Sequence, residues 1–318
     1  MRFVIFGAGG IGGTIGARLF QGGEDVVLIA RGPHHDQLAR DGLDFRWPDG
    51  NERLSIPVVA HPAALQWSDD DVVFLTMKSQ DTAAALEALD AAGHRGAVVC
   101  AQNGVDNERQ ALRRFAATYG LCVQLPATFL EPGVVVCHSS PIFGVLDLGC
   151  FPLGTDDVAV AVAAALERAG FRSRAEPAIM EQKYAKLLAN LGNALDAACG
   201  KAARKHPLMK AAADEAKACY TAAGIAWTDG PTYRERVKEM RIDPVDGAPH
   251  KGSSSWQSLA RGTGSIEADF LNGEVVLLGR LHGVPTPVNA MLNDLANTMA
   301  REGQAPGSYD IEALSARL

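Results

Sequence analysis

Residues 3–6 form an apolar run that meets Gly7-Ala8-Gly9-Gly10-Ile11-Gly12 directly, and an apolar, alanine-containing stretch follows over 15–20. Glycines at this spacing permit a tight turn and close backbone approach, and a helix behind them offers N–H groups and a positive dipole end. That chemistry suits a pyrophosphate. With a strand-like run at 26–30 completing the unit, the segment reads as a dinucleotide site rather than a plain turn. The second run should end in a carboxylate if the ribose 2′-hydroxyl of NAD is held, but it ends Leu28-Ile29-Ala30-Arg31. A guanidinium there can grip a 2′-phosphate through paired, charged hydrogen bonds, so the expected cofactor is NADPH/NADP.

Two further polar residues follow strand-like runs, Lys78 after 72–77 and Asn103 after 97–101. Ligands of doubly wound sheets lie outside the carboxyl ends of the strands, so Gly7, Arg31, Lys78 and Asn103 are predicted to share one rim. A long helix is expected over 179–199, with Lys183, Lys186, Asn190 and Asn193 on one face and Tyr184, Leu187, Leu188, Leu191, Leu195 and Ala198 on the opposite arc. Asparagine is a poor mid-helix residue, so two on one face point to specific hydrogen bonding; an ordinary amphipathic surface helix is the alternative. Ser253, Ser254 and Ser255 precede Trp256, and Glu267 follows. From pattern alone these serines read equally as a helix cap or as ligands, and Glu267 equally as a first-turn carboxylate. His34 and His35, after Arg31, read as a solvated loop.

Several function classes fall away on composition. The chain has 318 residues, 21% charged and 47% hydrophobic, with a net charge of −7. A partner bound chiefly through phosphate neutralisation needs a basic surface, so nucleic acid is not expected. The six cysteines include no CxxC pair and no histidine at ligand spacing, so they read as reduced, mostly buried thiols of a cytoplasmic protein with no metal site. The first apolar run is too short for a signal peptide, and the longest later one, 158–166, is half the length of a membrane span. A soluble protein is expected.

The elements that must position these residues fall into two regions. Short apolar runs alternate with helical stretches through the first half, which predicts a Rossmann-type, doubly wound parallel sheet. Residues 43–59 break the rhythm with an inserted hairpin, turned at Pro48-Asp49-Gly50-Asn51. Strand-like pieces at 134–138 and 142–148, a helix over 157–169 and a short run at 171–175 close this region. Helical periodicity dominates from 178 onward, with stretches near 178–199, 207–224, 231–240, 265–282 and 287–302. The expected architecture is therefore α/β, with a sheet domain over 1–176 followed by an all-α domain over 177–318. Residues 242–255 read as a long loop of the kind that often carries function.

Across nearly its full length the chain resembles the ketopantoate reductase (2-dehydropantoate 2-reductase) family. The resemblance rests on the GAGGIGG start, Ala30-Arg31-Gly32, Met77-Lys78-Ser79-Gln80, Gln102-Asn103-Gly104, Glu131-Pro132-Gly133, Lys186-Leu187-Leu188-Ala189-Asn190, and Ser253-Ser254-Ser255-Trp256-Gln257 followed by Glu267-Ala268-Asp269-Phe270-Leu271-Asn272-Gly273. It implies a Rossmann domain and a helical domain with NADPH and a 2-oxo acid in the cleft between them. Carried over by position, Lys186 resembles the family's general acid and Asn190 its substrate-binding asparagine. Asn103 resembles the residue that orients substrate and nicotinamide, Lys78 an active-site and cofactor lysine, Ser254 a substrate-carboxylate ligand, and Glu267 the paired acidic residue, also beside the cofactor. Asn193 is carried as a further substrate contact, and Gly7 through Gly12 with Arg31 as the cofactor-binding segment. Burial lowers a lysine pKa, the direction a proton donor near neutral pH needs.

The sequence departs from the family in its substrate half. The second asparagine usual eight residues after the lysine is Ala194, with Asn193 one place earlier; Gln257 is followed by Ser258 where an aspartate is common; and one residue is inserted between Trp256 and Glu267. The resemblance implies reduction of a 2-oxo acid, foremost ketopantoate to pantoate. A reductase of another oxo acid or an imine, and a catalytically idle NADP-binding regulator, stay open as alternatives, as does assembly into a homodimer.

Overall fold

The computed structural model describes residues 1–247, 252–262 and 264–316. Two compact units divide the chain, one comprising Met1–Lys183 with Asp229–His250, the other Tyr184–Thr228 with Lys251–Leu318.

The first unit is built on β1 (Arg2–Phe6), β2 (Asp25–Ile29), β3 (Leu43–Trp47), β4 (Gly50–Leu54), β5 (Val58–Val59), β6 (Asp71–Leu75), β7 (Ala97–Cys100), β8 (Thr118–Gln124), β9 (Ala127–Thr128), β10 (Val134–Cys137) and β11 (Val145–Cys150). Seven of these form the main sheet in the order β11-β8-β7-β6-β1-β2-β5. All its neighbours run parallel except β11, which pairs antiparallel with β8. The chain moves from β1 outward through β2 on one side and returns to β6 on the other, so the switch point lies between β1 and β6. Alternate residues of β1 serve opposite faces. Phe3 and Ile5 enter one buried cluster and Val4 the other, which explains the unbroken apolar run.

The predicted hairpin is present as β3–β4, but it belongs to a second, four-stranded sheet in the order β4-β3-β10-β9. Helix α1 (Gly10–Gln21) packs against both sheets, and its glycines record this. A Cβ on Gly16 would lie 2.8 Å from Leu28 Cδ2 of the main sheet, and one on Gly13 would lie 2.7 Å from Val135 Cγ2 of the second. Helices α2 (Gly32–Asp41), α3 (Thr82–Ala91), α4 (Asn107–Leu112) and α5 (Asp157–Arg168) complete the wound region.

Helix α6 (Ile179–Asn190) begins in this unit and ends in the other. The second unit continues with α7 (Asn193–Cys199) and α8 (Pro207–Ala223). Helix α9 (Gly230–Val237) returns to the first unit, and α10 (Ser254–Ala260), α11 (Asn272–His282), α12 (Pro287–Arg301) and α13 (Ile311–Ser315) complete the second. Among the described residues the second unit is helical throughout, and no helix is long and apolar enough to cross a membrane. All six cysteines are free and four are buried. Residues 248–251 of the expected long loop lie outside the described residues; 254 onward already forms α10.

These unit boundaries differ from the single cut expected near 176. Helical periodicity marks where strands stop, whereas compactness follows buried pairs that periodicity cannot see. Asp147 on β11 is fully buried and takes Arg236 of α9 at 2.8 and 2.6 Å, with Gln182 at 3.2 Å. That clamp draws α9 back to the sheet. Replacing Arg236 by Ala leaves a buried carboxylate short of its main partner, and we expect a loss of about 3 kcal/mol. Urea unfolding measures it, and a midpoint equal to wild type would show the clamp to be energetically idle.

Candidate functional site

The switch point is assembled by close approach. Gly7 has φ +107°, and a Cβ there would lie 2.9 Å from Met77 N; one on Gly12 would meet Thr76 Oγ1 at 2.3 Å and Gly7 O at 2.4 Å. Thr76 donates to Gly7 O at 2.7 Å, which ties the end of β1 to the end of β6. Gly9 and Gly10 differ from these. A Cβ on either would find nothing nearer than 3.7 and 3.4 Å, so protein packing does not demand glycine there. No side chain caps the start of α1, and its first turn holds no acidic residue. Uncapped amides at the start of α1, behind two glycines that put no side chain of their own in front of them, are what a bound pyrophosphate needs. The residues present fit a dinucleotide cofactor.

Arg31 stands at the N-cap of α2, exposed, with no carboxylate partner among the described residues. Three residues on, the structure corrects the expected solvated loop. His34 lies within α2, 9% exposed, with Nε2 2.7 Å from Ala8 O while Nδ1 accepts from Gly133 N at 2.9 Å. Burial holds its pKa below the ordinary histidine value.

Lys78 and Asn103 follow β6 and β7 as predicted, both half-buried. A buried hydroxyl and amide network joins their segments. Gln102 Nε2 donates to Thr82 Oγ1 at 2.7 Å, Thr82 Oγ1 to Asn107 Oδ1 at 2.8 Å, and Asn107 Nδ2 to Asn103 O at 2.9 Å and Ser79 Oγ at 3.2 Å. Sequence reasoning passed over Ser79, Thr82 and Asn107; the only signal for them was adjacency to Lys78 and Asn103.

The predicted four-residue face on the long helix is shorter than expected. Lys183 is 3% exposed and ion-paired with the fully buried Glu108, and its Nζ also reaches Gln102 O at 3.1 Å and Cys100 O at 3.4 Å. It is a structural ammonium within the sheet unit, not part of an open polar front. The helix itself stops after Asn190, and Asn193 begins α7, buried, its Oδ1 taking Arg204 Nη1 at 3.0 Å. A Cβ on the intervening Gly192 would lie 2.8 Å from Met209 Sδ, so the chain has little room there. Lys186 and Asn190 remain one turn apart on α6, both half-buried. The Leu191 carbonyl just beyond them accepts from Asn272 Nδ2 at 3.2 Å. Asn272 in turn meets Asn289, and Asn289 meets Glu215.

The serine run is resolved. Ser253 Oγ caps α10 by accepting from Trp256 N at 3.2 Å, and Ser253 N donates to the buried Asp196 at 2.5 Å. Ser254 Oγ is enclosed and makes no hydrogen bond among the described residues. Glu267 is 3% exposed, in a single 3-10 turn over Glu267–Phe270.

A parallel sheet with a glycine turn at its switch point, joined to a helical unit carrying a lysine–asparagine turn, defines a Rossmann-type α/β protein of the two-unit kind. Residues 3–152 match the model of the family described as Ketopantoate reductase PanE/ApbA, and residues 178–300 match that of its C-terminal part. The chain belongs to this family of oxidoreductases. A 2-dehydropantoate 2-reductase of Pyrococcus horikoshii is 28% identical over 313 residues, spanning 97% of this chain and 100% of the relative. Another, from Halobacterium salinarum, is 29% identical over 310 residues, spanning 95% and 100%. The crystal structure of a PanE/ApbA family ketopantoate reductase from Ralstonia eutropha superposes with a TM-score of 0.80 at 28% identity, covering 96% of this chain and 100% of that one. A ternary structure of D-mandelate dehydrogenase with NADH and anilino(oxo)acetate has a TM-score of 0.81 at 22% identity, covering 96% and 100%, and so shares the fold.

The Lys183–Glu108 pair yields a pH prediction. Burial pushes the Glu108 carboxyl up while the Lys183 ammonium opposes that rise, so Lys183→Met leaves burial unopposed. A raised folded-state value means proton uptake on folding. Stability is then kept below the unfolded carboxylate range and lost as pH rises. Calorimetry should show the variant's melting temperature falling further behind wild type between about pH 5 and about pH 8; parallel profiles would contradict this.

Proposed function

We propose that this protein reduces a 2-oxo acid to the 2-hydroxy acid with NADPH, foremost 2-dehydropantoate to pantoate, with Lys186 as general acid. The observation that carries the reading is the Lys186–Asn190 turn, half-buried on the unbroken helix α6, whose residue types and four-residue spacing resemble the family's general acid and substrate-binding asparagine. The relatives named 2-dehydropantoate 2-reductase support the same substrate.

In this reading the sheet unit holds the cofactor and the helical unit the acid. The uncapped α1 amides behind Gly9 and Gly10 take the pyrophosphate, and Arg31 takes the 2′-phosphate. The reduced nicotinamide supplies a hydride to the substrate carbonyl carbon. Charge grows on the carbonyl oxygen, and Lys186 Nζ donates the proton there. Asn190 holds the substrate one turn on, and Ser254 takes its carboxylate, for which its enclosed, unpartnered hydroxyl is suited. Lys78 and Asn103 orient substrate and nicotinamide from segments held rigid by Thr82 and Asn107, and Glu267 is the paired carboxylate. The reaction runs in the cytoplasm, in keeping with six free thiols.

A second reading keeps this chemistry but changes the acyl group. Two departures favour it: buried Ala194 replaces the family's second asparagine, and Ser258, in place of the common aspartate, spends its hydroxyl on Ser254 O at 3.1 Å. NADPH oxidation with ketopantoate beside a panel of 2-oxo acids separates the two. Lys186→Ala should lower kcat on the best substrate by about 10²–10⁴-fold while NADPH still binds; turnover within roughly tenfold of wild type would rule out this lysine as the acid. Loss of a charged hydrogen bond also predicts that Arg31→Ala weakens NADPH by roughly tenfold or more and leaves NADH little changed, as read from the two KM values.

A further inference from the structure

His34 makes two hydrogen bonds of opposite sense. A backbone N–H can only donate, so Gly133 N at 2.9 Å requires a lone pair on Nδ1; a carbonyl can only accept, so Ala8 O at 2.7 Å requires the hydrogen on Nε2. The ring is thus the neutral Nε2–H tautomer, the state burial also favours. Phe129 covers it, with ring centroids 4.5 Å apart. His34 joins three segments distant in sequence: the glycine turn after β1, the first turn of α2, and the approach to β10.

Ala8 is 2% exposed and lies inside the glycine turn. In a trans peptide the Ala8 carbonyl and the Gly9 N–H lie in one plane and point in opposite directions, so fixing the carbonyl fixes the amide. Gly9 N bonds Gly7 O at 2.7 Å on that opposite side, so the 8–9 plane is gripped from both directions. The next residue, Gly10, starts α1 and its uncapped amides. Without His34, the plane would be held from one side only, with a buried carbonyl left unsatisfied.

We propose that His34 is a positioning residue of the dinucleotide site, a neutral imidazole that locks the 8–9 peptide so that the start of α1 presents its amides to a pyrophosphate. This rests on the reading that the glycine turn binds NADPH, and the experiment separates the two. NADPH is titrated calorimetrically, without oxo acid, into wild type, His34→Leu, His34→Ala and His34→Gln, with melting temperatures recorded alongside. Glutamine offers both an acceptor oxygen and an N–H donor, whereas leucine fills the space with neither. The expected result is a rise in Kd of roughly tenfold or more for the leucine and alanine variants, with glutamine recovering most of the affinity. Leucine or alanine variants that melt lower but bind within twofold of wild type would overturn the inference by reducing His34 to a packing residue. Absence of NADPH binding by folded wild type would instead defeat the cofactor reading, and this inference with it.

Discussion

Two strand ends can meet at the switch point only because side chains are missing there. Gly7 stands against the Met77 backbone, and Gly12 against Thr76 Oγ1 and the Gly7 carbonyl, at separations where no Cβ fits. That contact sets the start of α1, and α1 in turn packs on both sheets through Gly13 and Gly16. Two kinds of glycine therefore coexist in one short motif. Gly7, Gly12, Gly13 and Gly16 serve packing, whereas Gly9 and Gly10, whose nearest neighbours would meet a Cβ at ordinary contact distance, front the uncapped helix start without a side chain of their own. The first kind makes the second useful, since exposed amides position a ligand only if the turn that carries them is rigid.

The same division of labour runs through the polar residues. Three residues of the proposed site, Asn103, Asn190 and Ser254, adjoin a neighbour whose own polar groups are engaged elsewhere. Asn107 holds the Asn103 carbonyl while Thr82 occupies its amide oxygen. Asn272 holds the carbonyl after Asn190 and is itself braced by Asn289 and Glu215. Ser253 caps α10 and so leaves Ser254 unspent. Buried networks of this kind are favourable only when nearly complete, because each unpaired member costs about as much as a good hydrogen bond stabilises.

Much of this was legible from local pattern. The glycine turn, most of the strand runs, the hairpin at Pro48–Asp49 and the helical stretches of the second half depend on spacing within a few residues and are present, although the stretch at 178–199 is two helices and the run at 171–175 contributes only isolated bridges. What escaped is what depends on partners far along the chain. Lys183 looked like a sibling of Lys186 because both lie at helical spacing, but Glu108, 75 residues away, claims only the first. His34 looked solvated because its partners are Ala8 and Gly133, the latter 99 residues distant. The second sheet was hidden for the same reason: β3 and β10 are adjacent only in space. The return of α9 depends on Asp147, 89 residues from Arg236.

Charge shows how this distance problem bears on function. A net charge of −7 argues against a polyanionic partner, and the sequence alone offers Arg31, Lys78 and Lys186 as a cationic set for small anions. Lys183, which shares the predicted helix face with Lys186, adds nothing to that set, since its buried pairing with Glu108 cancels the field it would project. The structure leaves Arg31 exposed at the start of α2, where no acidic residue stands in the first helical turn and the helix dipole adds to its charge. The favourable field for a phosphate on this unit therefore comes from Arg31, Lys78 and two helix starts, a small and local source. Such a source is short-ranged at physiological salt, where screening acts over roughly 8 Å. It can select among ligands already seated on the glycine turn, but it cannot recruit an extended polyanion against the charge of the whole chain.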